Sequence, residues 1–162
     1  MSTEGKPSYL SAKDIDALPE HESVHQYNAN AVRLSRTLSD ACGLSHIGVH
    51  LVRLAPGRDS TQHHMHDHSE EFLYVLEGRG QARIGDRVVE VGAGDFMGFT
   101  HGSEPHSLHN PYDSDLVYLM GGERPESDAV HYPDIEKSLF RTAGRRIGAN
   151  WEDLQDEPAK QG

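Results

Sequence analysis

Four histidines fall within six residues of this chain, at positions 63, 64, 66 and 68. They lie in GRDSTQHHMHDHSEEFLYVLEG, bounded by Gly57 and Gly78. Two carboxylates, Glu70 and Glu71, come next, followed by an apolar run from Phe72 to Leu76 that Gly78 breaks. The spacing restricts what this segment does. His64 and His66 are two apart, so an extended backbone sends both imidazoles off one face. Glu71 opens the strand-like FLYVL run and turns its carboxylate toward that face. Two imidazoles and a carboxylate are a partial coordination set for Zn, Fe, Mn, Ni or Cu. A second stretch, GAGDFMGFTHGSEPHSLHN, offers a fourth donor from His101, His106 or His109.

The rest of the chain reads as short strands and turns. Ala31 to Thr37 alternates in polarity, as a strand with two unlike faces does. His46 to Leu54 is a stronger strand, with Ile47, Val49 and Leu51 on one face and His50, Val52 and Leu54 on the other. Arg53 shares the face of Val49 and Leu51. Phe72–Leu76 and Leu116–Met120 are apolar on both faces, which a strand with one wet face is not. Gln81–Ile84 and Arg87–Glu90 flank Gly85-Asp86 and predict a hairpin. Gly92-Ala-Gly-Asp95 is another turn, leading into Phe96–Phe99, and Ala129–Tyr132 and Ser138–Arg141 read as further strands. Ser11 caps one helical turn that Pro19 ends. Turn residues every eight to twelve positions predict an all-β fold, closed or double-sheeted. The segment from Trp151 reads as an acidic tail. His21 and His25, far in sequence from the cluster, read as surface residues.

The two histidine stretches resemble the two motifs of the cupin superfamily, in its single-domain, type-2 form. The first motif is G, five residues, HxH, three or four residues, E, six residues, G. This chain has Gly57, His64-Met65-His66, Glu71 and Gly78, with one extra residue after Gly57. Glu71 rather than Glu70 keeps the six-residue spacing to Gly78. The second motif is G, five residues, PxG, two residues, H, three residues, N. This chain has Gly94, Thr100-His101-Gly102, His106 and Asn110, with Thr100 in place of proline and one residue added before His106. The resemblance spans residues 47 to 120 and implies a double-stranded β-helix, or jelly-roll barrel, here with extra N-terminal strands. It implies His64, His66, Glu71 and His106 as ligands of a divalent transition metal. His63, His68 and His109 are then exposed neighbours or groups behind the ligands. The expected division is an extension over 1–30, a barrel over 31–142 and a polar tail over 143–162.

The chain carries 26 Asp and Glu against 15 Lys and Arg, a net charge of −11. That sign argues against nucleic acid or anionic membrane as partners. The single cysteine, Cys42, excludes an intrachain disulfide and reads as a buried thiol. The first twenty residues show no basic-then-apolar leader, and no run approaches a membrane span, so a cytoplasmic protein is expected.

Three histidines and one carboxylate leave positions open on an octahedral metal, which suits substrate or water rather than a purely structural role. A small oxygenated molecule is the expected ligand. Isomerisation or epimerisation of a sugar or sugar phosphate needs an acid/base group, for which Glu77, Tyr74, Tyr118 and His50 are candidates. A phosphorylated substrate needs a cation, and Arg53 is the expected one. A metal-dependent dioxygenase and a non-catalytic binding or sensing protein are the alternatives. The two-faced apolar strands predict a homodimer.

Overall fold

The structure is a computed structural model, which describes residues 5–157. The first elements are α1 (Ala12–Ala17), β1 (His21–His25), β2 (Asn28–Thr37), α2 (Leu38–Cys42) and β3 (Ile47–Leu54). The middle of the chain gives β4 (Met65–His66), β5 (Glu71–Glu77), β6 (Arg79–Ile84), β7 (Arg87–Gly92), β8 (Phe96–Phe99) and β9 (His106–His109). β10 (Leu116–Glu123), β11 (Asp128–Tyr132), β12 (Lys137–Thr142) and β13 (Arg145–Asn150) complete it. Among the described residues no helix is long and apolar enough to cross a membrane.

Local chemistry sets the boundaries. Ser11 and Asp14 form a reciprocal capping box at the start of α1. The proline at 19 pushes Leu18 to an extended conformation and ends the helix. Gly85 supplies the positive φ, +56°, at the first position of the two-residue turn between β6 and β7.

All paired strands run antiparallel, in a six-stranded sheet β1-β2-β3-β10-β5-β8, a four-stranded sheet β13-β12-β11-β4 and a three-stranded sheet β7-β6-β9. A bridge between His64 and His106 joins the lead-in to β4 with β9. The fold is the all-β jelly roll that the motifs implied, with β1 and β2 extending one sheet at its edge.

Register sorts the side chains of β3, β10 and β5 into rows on the inner face. Leu116 lies opposite Leu54, Tyr118 lies between Val52 and Val75, and Met120 lies between His50 and Leu73. Val52, Leu54, Val75, Leu116 and Tyr118 are all fully buried. They pack on Ala82, Val91 and Leu108 of the three-stranded sheet. The interior is therefore apolar at one end and grows polar along the strands.

Strand structure reaches further than the sequence predicts. β1 lies inside the segment expected to be an extension, and β13 inside the segment expected to be a polar tail. Neither HESVH nor RRIGAN shows an apolar period, and both form by pairing with a stronger neighbour. Residues 1–4 and 158–162 of those two segments lie outside the described residues. Cys42 is half-buried rather than enclosed.

The outer face of β5, β10 and β3 carries Phe72, Tyr74, Leu119, Val49 and Leu51. Tyr74 is 39% exposed, and Phe96 beside it on β8 is 65% exposed. The N-terminal strands lengthen this sheet and do not cover it. A second copy of the chain is the expected cover, in a twofold dimer. Light scattering at micromolar concentration should give twice the 18.0 kDa chain mass, and Phe96→Glu should halve it. A monomer in the unaltered protein would contradict this.

Gly78 turns β5 into β6 with φ +81°, and a Cβ there would overlap the carbonyl oxygen of Asp115. Gly78→Ala combines a left-handed backbone with a clash against backbone, a loss of about 3 kcal/mol. Thermal unfolding should show a melting temperature lower by roughly 6–12 °C.

Candidate metal centre

Three strands and a bridge bring the motif residues together. His64 exchanges backbone hydrogen bonds with His106, at 3.1 and 2.7 Å. His66 pairs with Val130 of β11. Glu71 is the first residue of β5, held between Phe99 and Gly122. Alternation then puts the His64 and His66 rings on one side, with centroids 5.1 Å apart. The His106 ring stacks flat on Phe99 at 3.6 Å, so its plane is fixed by packing.

The three imidazoles converge on one atom. The Nε2 atoms of His64, His66 and His106 lie 3.4, 3.5 and 3.1 Å from Glu71 Oε2. Ligand atoms of His64, His66 and Glu71 all fall within 4.8 Å of one another, and His106 joins them through Glu71. Neighbouring corners of an octahedron with bonds of about 2.1 Å are about 3 Å apart, so the spacing fits a metal's donor set.

The far nitrogens prepare these donors. His64 Nδ1 lies 3.0 Å from the carbonyl oxygen of Gln62, which only accepts. His66 Nδ1 lies 2.6 Å from Asp128 Oδ2. Both rings therefore carry their neutral proton on Nδ1 and present a lone pair at Nε2. His106 Nε2–H donates to Glu71, and its Nδ1 is buried without a partner. A metal would take the place of that shared proton.

The electrostatics keep the carboxylates charged. Burial alone would raise Glu71, but the hydrogen bond from His106, with the His64 and His66 rings close by, holds it well below the usual carboxylate range. Burial would likewise raise Asp128, yet hydrogen bonds from His66, Ser69 and Arg141 hold it down to about 2. Burial pushes His106 below the ordinary histidine value despite its bond to Glu71.

The cluster lies in the wall of a cavity of about 360 Å³ between the six-stranded and four-stranded sheets. Leu73, Met97, Phe99 and Leu108 form its apolar lining, and Tyr118, Tyr132, His25, Arg33, Arg141 and Arg146 add polar groups. Burial pushes the Tyr118 hydroxyl up to about 12 against the opposing effect of the nearby Arg33 guanidinium, and no group sits in good hydrogen-bond geometry to it.

The other predicted residues fall elsewhere. Arg53 lies on the outer face of β3, paired with Glu20 at 2.7 Å and Asp115 at 3.1 Å, and does not line the cavity. Its face follows from alternation, because Val52 and Leu54 take the inner positions. Glu77 and Tyr74 are exposed on β5. His50 points inward, but its ring bonds Thr37 at 3.1 Å and stands outside the cavity lining. Tyr118 alone of the four acid/base candidates lines it.

Among the neighbouring histidines, His68 and His101 are exposed. His109 Nδ1 bonds Asp59 at 2.7 Å. His63 is buried, not exposed, with Nδ1 3.1 Å from Ser107 on the face opposite His64. Glu70 is exposed, apart from the cluster, with its backbone N–H bonded to Glu123. His25 is not a surface residue. It packs against Tyr27 and Tyr132, and burial, with the charges of His64, Arg33 and Arg146, lowers it to about 4.

Comparison with known proteins agrees with this geometry. Residues 50–122 match the cupin domain family. No curated protein matches the sequence. A protein from Acidithiobacillus ferrooxidans, put forward as a sugar phosphate isomerase, is 36% identical over 92% of this chain and 96% of its own, with a TM-score of 0.90. A sugar phosphate isomerase of the cupin superfamily from Silicibacter pomeroyi is 29% identical over 90% and 96%, with a TM-score of 0.80. A predicted oxalate decarboxylase from Thermotoga maritima, 20% identical over 68% and 96% with a TM-score of 0.58, shares the fold. Spanning nearly the whole of a relative one-third identical to it, with the cupin domain across its central strands, the chain belongs to the cupin superfamily.

Proposed function

We propose that this chain is an isomerase or epimerase of a sugar or sugar phosphate, with a divalent transition metal held by His64, His66, Glu71 and His106. One observation carries the reading. Among the described residues, the buried side-chain polar atoms left without a partner are His106 Nδ1, Tyr118 OH and Arg141 Nε. All three belong to residues lining the cavity with the histidine cluster. Buried polar groups are nearly always bonded, so such a set calls for a ligand rich in oxygen. The names of the two relatives from Acidithiobacillus and Silicibacter support the same class.

A bound metal would polarise adjacent substrate oxygens as a Lewis acid. The remaining work falls to the chain's own groups. Tyr118 keeps its proton at neutral pH and supplies a hydrogen-bond donor or general acid inside the cavity. The apolar lining excludes water around it.

The test begins with metal content of protein purified without chelator, followed by a panel of sugars and sugar phosphates in deuterated water. Isomerised product with deuterium at the reacting carbon supports the reading. Oxygen consumption without such product would replace it by a dioxygenase, and binding without turnover by a sensor.

Tyr118→Phe separates catalysis from folding. It removes a buried hydroxyl that bonds nothing, so the melting temperature should hold or rise. Turnover should drop roughly 100-fold or more. A lower melting temperature with undiminished turnover would remove Tyr118 from the mechanism.

Metal binding should follow the ligand set. Alanine at 64, 66, 71 or 106 should abolish most bound metal, and Asp128→Asn should weaken it about 10–100-fold through His66. Imidazole binds metal only when neutral, and a free histidine titrates near about 6.5. The melting-temperature gap between untreated and chelated protein should therefore shrink as pH falls from roughly 7 to 5. Chelated protein should also lose stability below about pH 6.5. There the unfolded chain takes up a proton at His25 that the folded chain refuses until about 4. A chelator effect of equal size at every pH would sink the three-histidine site.

A further inference from the structure

Three guanidiniums line the cavity that holds the histidine cluster: Arg33, Arg141 and Arg146. Register explains two of them. Arg141 on β12 lies opposite Asp128 of β11 on one side and opposite Arg146 of β13 on the other. The three side chains thus share one face as a row across three strands, with Asp128 buried, Arg141 half-buried and Arg146 exposed where it meets the cavity. Two cations stand side by side in the row, an arrangement that is unfavourable without an anion.

The row holds one carboxylate, and that carboxylate is already committed. Asp128 accepts from His66 Nδ1, the Ser69 hydroxyl and the His68 backbone N–H as well as from Arg141. Arg141 Nε remains buried with no partner. Arg33 comes from β2, and its Nη1 reaches the Met120 sulfur at 3.4 Å, a weak acceptor. Among the described residues neither Arg33 nor Arg146 pairs with a carboxylate. In a chain with 26 acidic residues against 15 basic ones, that pairing would be easy to supply.

His25 adds a neutral donor. Its Nδ1 accepts the Tyr27 backbone N–H at 3.2 Å, so the ring's one proton sits on Nε2.

We infer that Arg33, Arg141 and Arg146 bind a phosphate dianion, and that the substrate of the adjacent centre is the phosphorylated sugar. The sugar is gripped by its phosphate while its oxygens reach the His64–His66–Glu71–His106 cluster; this half of the inference rests on the isomerase reading. A carboxylate is satisfied by one bidentate arginine, whereas three guanidiniums drawn from two sheets match the charge and the three oxygens of a phosphate.

Calorimetry on the chelated full chain tests this with inorganic phosphate, a pentose phosphate, the free pentose and a dicarboxylate. Phosphate and pentose phosphate should bind, and the free pentose should not. Arg33→Gln and Arg146→Gln should each weaken phosphate binding about tenfold or more. Arg145→Gln, one residue along and on the opposite face, should leave it unchanged. In metal-loaded enzyme the first two variants should raise KM for the sugar phosphate more than they lower kcat. Both sit outside any ion pair, and their melting temperatures check the fold. Phosphate affinity unchanged in both variants, or a dicarboxylate bound tighter than phosphate, overturns the site. Arginine-dependent phosphate binding in a protein that turns over nothing would uphold the site and sink the isomerase reading. Turnover with arginine-independent phosphate binding would do the reverse.

Discussion

Much of the polar architecture hangs on the carboxylate of Asp128, whose side chain has no exposure to solvent. Burying a charge costs several kcal/mol unless hydrogen bonds offset it. Here His66 Nδ1–H and the Ser69 hydroxyl donate to one oxygen together with Arg141, and the His68 N–H donates to the other. Those bonds do three jobs at once. They fix the His66 tautomer, pin the 67–69 turn against β11, and hold Arg141 at the cavity wall. A group so depressed in pKa stays ionised until about pH 2, so the arrangement survives across the range where the histidines titrate.

The grouping of His64, His66 and Glu71 was legible in the sequence because its geometry is local. A two-residue spacing within an extended segment puts His64 and His66 together whatever the rest of the chain does. Glu71 could be told from Glu70 by its distance to a turn glycine, and that distance reflects where β5 starts. The second stretch was legible for the same reason, since β9 begins at His106 and its partner Ile84 lies in the predicted hairpin's first strand. Asn110, the last residue of that motif, is fully buried and ties Leu54 and Ser114 carbonyls together.

What stayed hidden depends on register between distant strands. Nothing near Asp128 in sequence marks it as the partner of His66, sixty-two positions away. The arginine row is equally non-local, since a one-residue slip would turn Arg141 and Arg146 to the other face. Arg53 shows the converse. Its strand divides cleanly into two faces, but only the identity of the neighbours decides which face is inside. β10 and β5 bring Tyr118 and Val75 against Val52, and Arg53 is left outside with Glu20 and Asp115. His25 is hidden from sequence reasoning because β1 shows no apolar period and the residue draws its burial from Tyr27 and Tyr132.

The cavity concentrates the chain's unmet polar chemistry, and the rest of the fold makes that possible. Leaving a donor or acceptor buried and unpaired costs about 1–3 kcal/mol each. His106 Nδ1, Tyr118 OH and Arg141 Nε sit on three different sheets, yet all border one space. The opposing contribution comes from the fully buried row of Val52, Leu54, Val75 and Leu116, each worth roughly 1.5–3 kcal/mol on burial. Tyr118 stands where the two regimes meet: its ring belongs to that apolar core and its hydroxyl to the cavity. Strand alternation forces this adjacency, because two inner-face steps along β10, from Leu116 to Tyr118 to Met120, lead from closed core to open site. The site is therefore backed by the fully buried core of the barrel, which keeps unpaired groups aimed at a ligand instead of collapsing onto one another.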